Sequence, residues 1–128
     1  MSPRLHVALG DPSFTDSVLS DVDRIRRTAA GRMLFRSLSE AGRSVCIEPP
    51  EPPTDPPNAW TLPRDGTEFV VMYDPADWPG PLGHLPSDVV LFGRLADVIA
   101  MVSGGSPAMG NYLAERTAIP EPPGRVTR

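Results

Sequence analysis

The stretch from Ser87 to Gly104, SDVVLFGRLADVIAMVSG, is the only long run of the chain that is mostly apolar, and it constrains the fold more than any other feature. Val89, Val90, Leu91, Phe92, Leu95, Ala96, Val98, Ile99, Ala100, Met101 and Val102 point almost all round a helical axis, the pattern of a core helix rather than a surface one. Ser87 is expected as its N-cap, with Asp88 placing a negative charge in the first turn, where the helix dipole favours it. Gly104 and Gly105 stop the run. It is too short and too interrupted to span a bilayer. Gly93, Arg94 and Asp97 make the interruption, within a sector of roughly 100°, because each residue advances about 100° around the axis. A polar stripe on a buried helix costs free energy unless its groups are partnered. The stripe therefore faces a cleft, or Arg94 and Asp97 pair at i, i+3.

Other elements must cover this helix. Leu5 to Leu9 alternates and is bounded by Gly10, which predicts a short strand at a sheet edge. From Pro12 through Ala30, with Thr15 or Ser13 as cap, Val18, Leu19, Val22 and Ile25 recur at helical spacing. Asp21, Asp23, Arg24, Arg26 and Arg27 take the wet side. Thr28 caps a second helix whose apolar stripe is Met33, Leu34, Phe35 and Leu38, and Gly42 supplies the left-handed stop. Ser44 to Ile47 reads as a strand ended by Glu48-Pro49-Pro50. The proline-dense segment that follows is excluded from helices and central strands and runs extended over the surface. Thr67 to Tyr73 is the best strand signal, and a Pro/Gly loop carrying Trp78 and His84 leads to Ser87. A short helix spans Tyr112 to Thr117. Residues 1–119 then form a single small α+β domain, and 120–128 a flexible proline-rich tail.

Charge and cysteine usage narrow the function classes. The net charge is −4, and the twelve basic residues, all arginine, read as scattered rather than bunched, which argues against nucleic acid as the partner. Cys46, the single cysteine, excludes an internal disulfide and sits in an apolar context that predicts a buried, inert thiol. The N-terminus lacks the apolar segment of a signal peptide, so a cytoplasmic location in the producing cell is expected, with any export through a dedicated system and no membrane partner. His6 and His84, the only histidines, lie in no nucleophile motif, although His84 is close enough to the start of the central helix to line a cleft. No phosphate-cradling glycine motif is present. Asp97 and Glu115 are the carboxylates that the last two helices could bring together, for acid/base work or a hard cation. The competing reading is an Arg94–Asp97 ion pair with Glu115 exposed.

The order of these segments resembles the NleD-like family of bacterial effector zinc metallopeptidases. The likeness runs from about Thr15 to Pro120, through SVLSDVDRIRRTAAGRMLFRSLSEAGRSVCIEP, TEFVVMYDP, PSDVVLFGRLADVIAMVSGG and NYLAERTAIP, with Asp23-Arg24-Ile25, Thr28 and Gly31 at the family's positions. The resemblance implies a zincin-like fold, with the central helix packed on a short sheet built from Leu5–Leu9, Ser44–Ile47 and Thr67–Tyr73. It also implies a zinc cofactor. In the family's H-E-x-x-H helix, two histidines one turn apart hold the metal and the glutamate is the base. Those positions here are Gly93, Arg94 and Asp97, and the downstream acidic ligand falls at Ala114 or Glu115. Gly93 has no ligand atom and Arg94 carries a permanent positive charge, so at most two oxygen ligands remain where zinc needs three protein ligands. Arg94 would also repel a dication by several kcal/mol at an effective ε of ~20. The expectation is a non-catalytic pseudopeptidase without metal that acts by binding a protein. The alternative is a metal-independent hydrolase using Arg94, Asp97 and Glu115, with His84, in the former zinc cleft.

Overall fold

The computed structural model describes residues 4–7, 12–49, 60–63, 68–73, 78–80, 83–104 and 109–117. The chain order is β1 (Arg4–Val7), α1 (Pro12–Arg26), α2 (Ala29–Glu40), β2 (Ser44–Glu48), β3 (Trp60–Pro63), β4 (Glu68–Met72), β5 (Trp78–Gly80), β6 (Gly83–Leu85), α3 (Ser87–Ser103) and α4 (Met109–Arg116). The fold is thus mixed α and β, and α3 is the predicted central helix.

Local chemistry sets most of the boundaries. Pro12 opens α1, where its fixed φ and missing N–H cost nothing; Ser13 and Thr15 therefore lie inside the helix rather than capping it. Thr28 is the N-cap of α2, its Oγ1 accepting from the Gly31 N–H at 2.9 Å while donating to the Ile25 carbonyl at 2.8 Å. Gly42 and Gly104 stand at φ 68° and 74°, the left-handed conformation that ends α2 and α3. At the start of α3 the expectation fails: Pro86 occupies the cap position and makes no side-chain cap bond. The Ser87 hydroxyl is drawn instead to Asp21, 66 residues away.

The main sheet has the order β1-β2-β4-β3. Its first three strands are parallel, and β3 runs antiparallel along β4. Parallel neighbours need a crossover, and α1 with α2 supplies it between β1 and β2. Val45 is paired with Leu5 and Phe69, and Ile47 with Val7 and Val71, so one face of the sheet presents an apolar row to the helices. Ser44, Cys46 and Glu48 alternate onto the other face and are half-buried. Cys46 is accordingly less enclosed than its sequence context predicts, with its Sγ 3.5 Å from Glu48 Oε2.

As expected, β1 is an edge strand; Ala8 and Leu9 of the predicted strand lie outside the described residues. The proline-dense connection adds a strand that the sequence reading omits. Trp60–Pro63 forms the opposite edge, the place in a sheet where a proline without an N–H is tolerated. The Pro/Gly segment before α3 likewise contains the hairpin β5–β6. The tail from residue 118, and residues 50–59 of the proline-dense segment, lie outside the described residues.

Helices α1, α2 and α3 pack together, α3 lies over β3 and β4, and α4 closes against α2 and α3. Val89 to Phe92, Leu95, Val98 and Ile99 of α3 are buried, whereas Gly93, Arg94, Ala96 and Asp97 are half-buried and Ala100 and Met101 near its end are exposed, so the helix is enclosed on its apolar side but not all round. No helix among the described residues is long and apolar enough to cross a membrane.

Candidate functional site

The polar stripe of α3 is the first candidate. Arg94 Nε lies 3.2 Å from Asp97 Oδ2, and the two side chains are 35% and 41% exposed, so the predicted i, i+3 pair forms at the protein surface. The carbonyl of Arg94 accepts from Thr61 Oγ1 of β3 at 2.8 Å, which ties this part of the helix to the sheet edge. Gly93 faces α4: a Cβ built there would sit 3.4 Å from Met109 Cε, ordinary van der Waals contact. The glycine therefore lets α4 approach without being strictly required.

Glu115 is elsewhere. It is half-buried rather than exposed, and its Oε1 accepts from the Ala30 N–H at 2.9 Å, satisfying one of the free donors at the start of α2. Its neighbour Arg116 reaches Asp88, and Asp97 lies nine residues beyond Asp88, about half a turn around α3 and ~13 Å along it. These contacts hold Asp97 and Glu115 in separate surroundings instead of joining them in one site. His84 has its backbone in β6, opposite Pro79, and its side chain lies outside the described residues. His6 is exposed on β1. Among the described residues, no group of three or more His, Cys, Asp or Glu is arranged to hold a metal ion.

A second polar region surrounds the amino end of α3, and the sequence reading misplaced its members. Asp21, assigned to the wet side of α1, is 4% exposed. It accepts from the Tyr73 hydroxyl at 2.8 Å and the Ser87 hydroxyl at 3.0 Å, joining α1, the end of β4 and α3. The signal was present, since Asp21 stands three residues after Val18 and four before Ile25, on the apolar stripe itself.

Asp88, also 4% exposed, is more than a first-turn charge. Arg116 grips it with both arms of the guanidinium, Nε to Oδ2 at 2.6 Å and Nη2 to Oδ1 at 2.8 Å, and Tyr112 donates its hydroxyl to Oδ2 at 2.5 Å. The Tyr112 ring stacks on Phe92 at 4.4 Å between centroids and 12° between planes. Every named group here is partnered, so the cluster fastens α4 to α3 and presents no reactive atom.

Electrostatics agree. Burial, reinforced by the hydrogen bond and charge of Asp88, holds the Tyr112 phenol well above its usual range. The bond to Asp88 outweighs desolvation and raises Arg116. Because the folded-state pKa of Tyr112 exceeds the unfolded value, its contribution is complete below about pH 10 and is lost as pH rises beyond that. Urea midpoints are therefore expected to fall above about pH 10, and Tyr112→Phe to flatten part of that fall. Parallel curves for the two proteins would contradict this assignment.

Comparison of the chain with protein-family models, with curated proteins and with solved structures finds no match at any of the three levels.

Proposed function

We propose that the chain is a non-catalytic, protein-binding relative of effector-type zinc metallopeptidases, a zincin-like domain whose former catalytic stripe has become a contact surface. The observation that carries this reading is the Arg94–Asp97 pair. A guanidinium stands where the base would be and engages the carboxylate that would otherwise coordinate metal. Both side chains remain part-exposed, so an incoming polar group could exchange into the pair. Thr28 and Gly31, which carry much of the resemblance, act as a helix cap and a close-contact position; they speak for a common scaffold, not for chemistry. The hydrolase alternative needs Arg94, Asp97 and Glu115 to converge, and Glu115 is committed to the start of α2.

The test is the double variant Arg94→Ala/Asp97→Ala. A part-exposed pair contributes only about 0.5 kcal/mol, so the variant should melt close to the wild type. The phenotype that the intact chain produces when expressed in a host cell should nevertheless be lost. Near-stoichiometric zinc in protein purified without chelator, or peptide hydrolysis by the wild type, would overturn the proposal.

A further inference from the structure

We infer that the exposed face made by the end of α1 and the body of α2 docks an acidic segment of a protein partner, held by Arg26, Arg32 and Arg36. This surface is separate from the α3 stripe, and the inference does not depend on how that stripe is read. The arginines are not scattered after all. Residues 24–43 hold six of the twelve and one acidic residue, Glu40, a net +5; the other 108 residues therefore carry −9 of the total −4. The fold keeps Arg26, Arg32 and Arg36 exposed.

These three are not committed to carboxylates among the described residues. Nearby, Arg27 pairs with Asp23, at 2.9 Å. Arg26 lies over the Phe35 ring at 5.4 Å, and Arg32 Nη1 is 3.4 Å from the Arg26 carbonyl, so two of the guanidinium groups are already positioned, which lowers the entropy lost on binding. The helix dipole explains cations in the last turn of α1, where Arg24 and Arg26 stand. Arg32, in the first turn of α2, stands where that helix has no acidic residue of its own; Glu115 of α4 meets the Ala30 N–H there, and Arg32 reaches the carbonyl of Arg26 at the end of α1.

The character of the patch selects the occupant. Arg32 and Arg36 are one turn apart, about 6 Å along α2, and Met33 beside them is 68% exposed. Arginine and methionine together mark protein interfaces, and the guanidinium fork matches a carboxylate in two-point fashion. A nucleic-acid backbone or an anionic bilayer extends well beyond two helical turns and would meet the −9 carried by the rest of the chain. A short acidic segment stays within the patch.

Fluorescently labelled polyglutamate is the probe, titrated by anisotropy against wild type and Arg26→Gln/Arg32→Gln/Arg36→Gln, with circular dichroism confirming that the variant folds. Binding by the wild type, weakened by salt and reduced roughly ten-fold or more in the variant, is the expected result. Three outcomes would overturn the inference: no binding by the wild type, equal binding by the variant, or tighter binding of oligothymidylate or phosphatidylserine vesicles than of polyglutamate. The variant leaves Arg94 and Asp97 intact, so its failure would not bear on the α3 stripe.

Discussion

Asp88→Ala is expected to cost about 3–5 kcal/mol of folding stability, the range for removing one member of a buried ion pair. The substitution leaves the Arg116 guanidinium, whose side chain is only 18% exposed, without the carboxylate that accepts two of its hydrogen bonds. It also removes the acceptor of the buried Tyr112 hydroxyl. Most of the loss comes from these stranded donors rather than from the attraction itself, because an uncompensated buried charge is what the interior tolerates least. The double variant Asp88→Ala/Arg116→Met separates the two contributions. With both charges gone, the penalty for an orphaned cation disappears, and part of the stability should return. Denaturant midpoints of the wild type, the two single variants and the double variant provide the cycle. A loss below about 1 kcal/mol for Asp88→Ala would mean that the pair behaves as a surface contact.

Gly31→Ala should be at least as damaging, for a steric reason. A Cβ at position 31 would lie 1.8 Å from the Ile25 carbonyl oxygen, 2.6 Å from its carbon and 2.7 Å from Ile25 Cγ2. Two of those atoms are backbone, so no rotamer change relieves the overlap, and the end of α1 would have to move away from α2. That movement breaks the Thr28 bridge, which donates to Ile25 and accepts from Gly31. A loss of about 3 kcal/mol or more is expected, at the upper end of overpacking effects. Gly93→Ala is the internal comparison: its Cβ meets only the flexible end of Met109 at 3.4 Å, so the gain in helix propensity, about 0.5–1 kcal/mol, should leave it neutral or stabilised. Thermal melts should place Gly31→Ala well below the wild type and Gly93→Ala at or above it. A Gly31→Ala variant that melts with the wild type would contradict the close approach of α1 and α2 at this position.

These two positions also mark how far the sequence could be read. Gly31 was visible only as a member of a resembling motif; its reason for being glycine is a neighbour from the preceding helix, which no local propensity encodes. Asp88 was legible as a favourable first-turn charge, and that reading was incomplete because its partners follow 24 and 28 residues later. Glu115, expected at the surface, is half-buried because it reaches 85 residues back to Ala30. Arg94–Asp97 was legible because both residues lie on one helix, three positions apart.

Local grammar was legible along the chain: four helices, although α1 ends four residues and α4 begins three residues before the expected limits, the Thr28 cap, the stops at Gly42 and Gly104, and the three strands that became the parallel core of the sheet, with the ion pair along α3 as one of two alternatives. Such features depend on dihedral preferences and on hydrogen bonds within about a turn, and these are properties of adjacent residues. Tertiary structure alone decided that Trp60–Pro63 joins the sheet, that Asp21 and Asp88 are buried with distant partners, and that α4 lies across the start of α3. It also kept Arg26, Arg32 and Arg36 on one exposed face. The physical reason is that a buried polar group is stable only when packing delivers its complement, and the chain can supply that complement from any separation along its length.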